Sequence, residues 1–95
     1  MMPRIPRGQI SGYAYHVLSR GNGRATVFHT DADYRVFVDL LTTAQTKFPV
    51  KVLAFCLMPN HFHAVLQPAA TDTLSPFMQW WLTSYVRHYH RHHGS

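Results

Sequence analysis

Two histidines, His61 and His63, flank Phe62 in the run CLMPNHFHAVL, just after a Met-Pro-Asn corner. Side chains alternate between the faces of a β-strand, so this spacing predicts both imidazoles on one face, about 6.5–7 Å apart along the chain, and Phe62 on the other. Two imidazoles directed into one space can share a divalent cation. Alternatively, one histidine is a hydrogen-bonded structural residue and the other lies at the rim of the sheet. The spacing alone leaves both interpretations open.

Three segments with strand patterns would position this pair. Residues 50–58 are almost continuously apolar and predict a buried strand, and residues 61–68 predict the next one. The tight Pro59-Asn60 connection between them favours an antiparallel hairpin. Residues 13–20 alternate in polarity and predict an earlier strand, which the GNG at 21–23 would end in a turn. Cys56 is the single cysteine of the chain, so it can form no intrachain disulfide, and we expect it to fill the core.

Two helices are predicted from capping residues and apolar periodicity. Thr30 followed by Asp31 and Asp33 is typical of a helix start, and Pro49 would end that helix. Ser-Pro at 75–76 predicts the N-cap and first position of a second helix. The apolar positions recur at steps of three and four residues. They are Tyr34, Phe37, Val38, Leu41, Ala44 and Phe48 in the first helix, and Phe77, Met78, Trp81, Leu82, Tyr85 and Tyr89 in the second.

The element order β-α-β-β-α predicts an α+β fold, ferredoxin-like, in which helices pack on an antiparallel sheet. No repeat or linker divides the 95 residues, so we expect one domain over 1–95. A hydrophobic content of 46% in a chain of this length is sufficient for folding but provides only a small hydrophobic core. We therefore expect a monomer or a homodimer, with stability that can depend on further chain.

The charge balance favours a polyanionic partner. The chain has nine Lys and Arg, seven of them Arg, against four Asp and no Glu, and its net charge is +5. A basic domain without such a partner is the alternative. The N-terminus has cations but no apolar segment typical of a signal peptide, and no stretch is apolar enough to span a membrane. We expect a cytoplasmic protein.

Three strings, in this order and spacing, resemble the REP-associated branch of the single-tyrosine HUH transposases. They are MPRIPRGQISGYAYHVLSRGNGR, LAFCLMPNHFHAVLQP and LSPFMQWWLTSYVRHYHRHHG, and the resemblance spans essentially the entire chain from the first string to the last. The middle string is the most specific, because family members carry Met-Pro-Asn-His-hydrophobic-His on a central strand. The resemblance implies an HUH nuclease-like fold in which His61 and His63 hold Mg²⁺ or Mn²⁺. Imidazole also binds Zn²⁺ or Ni²⁺, which leaves these ions as occupants of a purified sample.

The resemblance also implies a reaction, a substrate and a bacterial, nucleoid-associated location. The metal would bind a scissile phosphate of single-stranded DNA beside a hairpin and withdraw charge from its oxygens. A tyrosine hydroxyl would then attack the phosphorus, giving a 5′-phosphotyrosine and a free 3′-OH. The bond is exchanged without hydrolysis, so strands can be rejoined without ATP.

The sequence departs from the family pattern at its end. Family members carry the nucleophilic tyrosine and a third metal ligand on a later helix, beyond the segment that matches the last residues before Ser95. We therefore expect a C-terminally truncated, catalytically incomplete member. Tyr85 is the fallback nucleophile, although its place on the apolar helix face favours a packing role. Asp31 and Asp33 at a helix start do not obviously replace the missing ligand.

The final RHYHRHHGS predicts a basic end that is disordered or faces DNA. Histidines four apart on a helix can also chelate adventitious metal. Trp80 lies off the apolar face of its helix, so we expect an exposed stacking platform for an unpaired base, or a dimer contact. The remaining DNA contacts are expected at arginines and at the RGNGR turn. They are Arg4, Arg7, Arg20, Asn22, Arg24, Arg87 and Arg91.

Two other functions are compatible with the sequence. A DNA-binding or dimerisation module could retain the fold without the chemistry. A small metal-dependent phosphodiesterase would need a general base that so few acidic residues do not obviously supply. The presence of a tyrosine on the later helix distinguishes the transposase from both.

Overall fold

The computed structural model describes residues 13–20, 26–70 and 72–93. Its elements confirm the predicted order and the α+β class. They are β1 (Tyr15–Arg20), α1 (Asp31–Lys47), β2 (Val50–Met58), β3 (His61–Pro68) and α2 (Leu74–His93). The predicted turn at 21–23 and the N-terminal arm lie outside the described residues. Within the described ranges no helix is long and apolar enough to cross a membrane.

The three strands form one antiparallel sheet in the order β1-β3-β2. The central strand β3 alternates strictly, since Phe62, Ala64 and Leu66 are buried while the residues between them are half-buried. Strands β2 and β3 form the predicted hairpin through Pro59 and Asn60. Both helices therefore cover one face of the sheet, and the opposite face of β3 stays open among the described residues.

The prediction that β2 is a buried strand and that Cys56 fills the core was wrong. Val50 is buried, whereas Leu53 is 53% exposed, Phe55 is 46% exposed and Cys56 is exposed. Strand β2 lies at the edge of the sheet, and its register shifts between Val52 and Ala54. An apolar run reports a preference for burial on both faces, but an edge strand beside an open face has neighbours on one side only.

Helix α1 begins and ends where its capping residues predict. The Thr30 hydroxyl accepts a hydrogen bond from the Asp33 N–H, and the Asp33 carboxylate accepts one from the Thr30 N–H, which completes a capping box. Helical structure stops at Lys47, because the residue before Pro49 is disfavoured in the helical conformation. The N–H of Phe48 still donates to the Ala44 carbonyl.

Helix α2 begins at Leu74, slightly earlier than the predicted cap at Ser75. Pro76 remains within the first turn, where a missing N–H costs nothing because no intrahelical acceptor is available. Trp81 is fully buried, and its indole N–H donates to the Phe37 carbonyl at 3.0 Å. This bond joins α2 to α1 above the buried face of the sheet.

Candidate functional site

His61 and His63 share the open face of β3. Both are half-buried, and their ring centroids lie 5.2 Å apart with the planes at 78°. Phe62 between them is fully buried on the opposite face, where it contacts Phe37 and Trp81. The central position of β3 and the anchored Phe62 hold the two imidazoles on a rigid element.

The turn before β3 orients one of these imidazoles. His61 Nδ1 lies 2.7 Å from the amide oxygen of Asn60. Since an amide oxygen only accepts, Nδ1 carries the proton in this bond. The lone pair of neutral His61 is therefore on Nε2, the nitrogen that could bind a metal.

A third histidine, which the sequence analysis did not single out, joins the pair from β1. His16 Nε2 lies 3.0 Å from His63 Nδ1, and the two rings lie end to end and nearly coplanar, with centroids 5.2 Å apart. The alternation of β1 contained part of this signal, because Val17 is fully buried and its neighbour His16 must face the other way. The pairing of β1 with β3, which brings His16 to His63, was not readable from local pattern.

The donor set fits a divalent cation as two ligands of a larger shell. His61 and His63 face the same space and are held by neighbouring side chains, as metal-binding imidazoles usually are. Across residues 13–20, 26–70 and 72–93, no group of three or more His, Cys, Asp or Glu is arranged to hold a metal ion. His16 directs its Nε2 at His63, which explains why three nearby imidazoles do not converge on one point.

A second polar cluster lies where the start of α1 meets the end of α2. Asp33 is 2% exposed, and its carboxylate accepts hydrogen bonds from the His29 N–H at 2.9 Å and from the imidazoles of His88 at 3.1 Å and His93 at 2.8 Å. Burial raises the pKa of Asp33, but these hydrogen bonds outweigh burial and lower the pKa from 3.8 to about 2. Asp33 is therefore a carboxylate that both helices stabilise.

This cluster corrects the prediction that the C-terminal histidines form a disordered end. The helix continues to His93, and two of its four last histidines contact Asp33. A third, His92, hydrogen-bonds through Nδ1 to the His88 carbonyl at 3.0 Å. Local composition could not indicate the contact between His93 and Asp33, because the two residues lie 60 positions apart in the chain.

Tyr85, the fallback nucleophile, lies in the core on the far side of the sheet from the histidine pair. It is 1% exposed and contacts Phe28 and Phe37, and Phe37 in turn contacts the buried Phe62. Its hydroxyl donates to the Val27 carbonyl at 2.5 Å. Burial, and next the negative charge of Asp33, raise the pKa of Tyr85 well above its ordinary value. The observed contacts are those of a packing residue.

Trp80 is half-buried, not fully exposed as expected. The Lys47 ammonium lies 5.3 Å from its ring centroid, a cation–π contact that closes part of the indole face. Trp80 and the exposed Arg87 both line a cleft of about 340 Å³. The other lining residues are Phe48, Pro76, Gln79, Thr83 and Ser84.

Three of the arginines predicted to contact DNA lie in described elements. Arg87 and Arg91 are exposed on α2, and Arg20 ends β1 as the backbone partner of His61. The other predicted contacts, Arg4, Arg7, Asn22 and Arg24, lie outside the described residues.

Comparison with known proteins identifies relatives of this fold. A family model for IS200-like transposases matches residues 9–95. A REP-associated tyrosine transposase bound to a REP hairpin superposes with a TM-score of 0.73 at 16% identity over 92% of this chain. A candidate transposase from Deinococcus radiodurans R1 superposes with a TM-score of 0.69 at 19% identity over 95% of this chain. No curated protein sequence matches the chain.

The lengths of these relatives differ from that of this chain. The chain spans about half, 53%, of the REP-associated transposase and 68% of the D. radiodurans protein. At such low identity the superpositions establish a common fold.

Proposed function

The chain belongs to the IS200-like transposase family, and we propose that it serves metal-assisted cleavage and joining of single-stranded DNA. The observation that carries the proposal is the placement of His61 and His63 on one open face of the central strand, with ring centroids 5.2 Å apart. We assign these two imidazoles as ligands of Mg²⁺ or Mn²⁺. Such hard ions prefer oxygen, so the rest of the shell would be water, phosphate or carboxamide oxygen.

The residues around the pair would prepare it for binding. Asn60 keeps the proton of His61 on Nδ1 and so presents Nε2 to the open face. The buried Phe62 fixes the strand between the two ligands, which limits the motion of both imidazoles. A divalent cation held here would withdraw charge from the oxygens of a scissile phosphate and orient it for in-line attack.

The partner that we propose is a single strand bearing a hairpin. One solved structure with this fold is of a transposase bound to a REP hairpin, and the net charge of +5 would favour any polyanion. Arg20, Arg87 and Arg91 would contact phosphates, and Trp80 would offer its remaining face to an unpaired base. Arg4, Arg7, Asn22 and Arg24 complete the proposed set of contacts.

The nucleophile in this proposal is a tyrosine other than Tyr85. Attack requires a hydroxyl that reaches the phosphate and loses its proton, whereas Tyr85 is buried on the opposite side of the sheet and its pKa is raised. The same burial favours a second candidate function, a DNA-binding module that carries out no cleavage. The two candidates differ in whether a covalent adduct forms.

Two measurements test the proposal. Titration with Mn²⁺, followed by the electron paramagnetic resonance of the free ion, should show one site that His61→Ala and His63→Ala each weaken at least about tenfold. The control His90→Ala removes an imidazole at the end of α2 and should bind like wild type. Equal affinity in all four proteins would refute the metal site.

The chemistry is tested separately with a labelled hairpin-bearing strand and Mn²⁺ on a denaturing gel. A covalent adduct that requires both histidines supports the transposase. Hairpin binding without any adduct would mean that this chain alone does not cleave DNA, which is expected both of a catalytically incomplete transposase and of the second candidate, the DNA-binding module.

A further inference from the structure

His16 reaches the histidine pair from the neighbouring strand. In the register of the sheet Leu18 is opposite His63 and His16 is opposite Val65, so His16 lies diagonally from His63 on the same open face. The side chains meet at 3.0 Å between His16 Nε2 and His63 Nδ1, and their planes differ by 15°. The two rings therefore lie end to end in nearly one plane, which is the favourable geometry for a hydrogen bond between two imidazoles.

The position of the proton in this hydrogen bond determines whether Nε2 of His63 can bind a metal ion. A hydrogen bond between two imidazole nitrogens needs one protonated nitrogen and one lone pair. If His63 donates from Nδ1, its Nε2 keeps a lone pair and can bind a cation. If His16 donates instead, neutral His63 carries its proton on Nε2 and that nitrogen cannot bind.

The arrangement of the neighbouring ligand favours the first alternative. His61 already donates from Nδ1 to Asn60, which leaves Nε2 as its metal-binding nitrogen. The same arrangement in His63 would give two ligands of one tautomer on one face. Imidazoles that bind metals almost always donate their other N–H to a fixed acceptor, and His16 Nε2 occupies that place.

We propose that His16 is a positioning residue of the metal site, which accepts the Nδ1 proton of His63 and thereby holds His63 Nε2 ready to bind. This inference rests on the metal site proposed above. The same hydrogen bond restricts rotation of the His63 ring. His16 itself is not a metal ligand in this proposal, because its Nε2 is directed at His63.

The tautomer can be measured without metal. Long-range ¹H–¹⁵N correlation spectra of the metal-free protein at about pH 8, where an ordinary imidazole is neutral, distinguish protonated Nδ1 from protonated Nε2. We expect His63 to carry its proton on Nδ1 in the wild type and to shift toward the Nε2-protonated form in His16→Phe. A wild-type His63 protonated on Nε2 would overturn the inference.

Metal affinity provides the second readout, with two substitutions that separate the space filled by a ring at position 16 from the hydrogen bond to His63. His16→Phe keeps an aromatic ring against His63 but removes the acceptor, and should weaken Mn²⁺ binding about tenfold. His16→Gln supplies an amide oxygen as acceptor and should recover most of the affinity. Circular dichroism of each variant verifies that it is folded, and the wild-type tautomer remains decisive if a variant is not.

The outcomes separate this inference from the proposed function. If wild type binds Mn²⁺ and His16→Phe binds it equally well, the role of His16 is wrong while the His61 and His63 site stands. If wild type binds no Mn²⁺, the proposed metal site is wrong, and the role proposed for His16 is then wrong as well.

Discussion

The carboxylate of Asp33, in the first turn of α1, lies 2.8 Å from Nε2 of His93, in the last turn of α2. The N-terminus of a helix favours negative charge and the C-terminus favours positive charge, so this contact joins two favourable helix ends. Asp33 also completes the capping box with Thr30 and accepts a bond from His88. One buried carboxylate therefore stabilises the start of α1 and fixes the end of α2.

Replacing Asp33 with Asn should lower the free energy of unfolding at neutral pH by about 1 to 2 kcal/mol. The pKa of this group is about 2 in the folded state against an ordinary 3.8. A carboxyl group whose pKa is lower in the folded than in the unfolded state stabilises the fold fully when the pH is above its unfolded-state pKa. That contribution is lost as the pH falls through its folded-state pKa. Wild type should therefore lose stability between about pH 5 and pH 2 more steeply than Asp33→Asn. Thermal unfolding across this range measures the difference.

The control for this experiment is Asp39→Asn, on the same helix but exposed. It should change the unfolding free energy by less than about 0.5 kcal/mol. Parallel pH profiles for wild type and Asp33→Asn would show that the buried contacts do not stabilise the ionised carboxylate.

Two phenylalanines on adjacent strands test the unexpected exposure of β2. Phe62→Ala should cost about 3–5 kcal/mol, because Phe62 is fully buried in the core. Phe55→Ala should cost less than about 1 kcal/mol, since Phe55 is 46% exposed on the edge strand. Urea denaturation of both variants provides the comparison. Similar losses would mean that the outer part of β2 is covered in solution.

Tyr85→Phe should destabilise the protein by about 1 kcal/mol without affecting any covalent DNA adduct. The substitution removes the hydroxyl that donates to the Val27 carbonyl but keeps the buried ring. Denaturing gels measure the adduct and thermal unfolding measures the stability. The control is Tyr89→Phe, whose lost hydroxyl donates to the Thr26 carbonyl. An adduct that disappears in Tyr85→Phe and persists in Tyr89→Phe would identify Tyr85 as the nucleophile.

The proposed phosphate contacts on α2 predict a specific salt dependence. Each of Arg87→Ala and Arg91→Ala should weaken binding of a hairpin-bearing strand and reduce the slope of log affinity against log salt by about 0.7. Fluorescence anisotropy at several salt concentrations gives both quantities. Arg35→Ala removes an equally charged, exposed arginine from α1 and should leave the slope unchanged. An equal change in all three variants would indicate an effect of net charge without a defined contact surface.

Local patterns in the sequence were sufficient to predict the elements and one half of the candidate site. Thr30, Asp33 and Pro49 predicted the limits of α1, because capping and helix termination depend on residues within one turn. Alternation predicted that His61 and His63 share a face, because a strand directs every second side chain the same way. These features depend only on near neighbours in the chain.

Contacts between distant segments were decided by the tertiary structure alone. The apolar run of β2 could not indicate that this strand lies at a sheet edge, so the exposure of Cys56 was missed. Likewise, no local pattern brings His16 to His63 or His93 to Asp33, which lie about 50 and 60 residues apart in the sequence. Periodicity reports which side of an element is apolar, whereas the partner of each polar side chain is determined by how the elements pack.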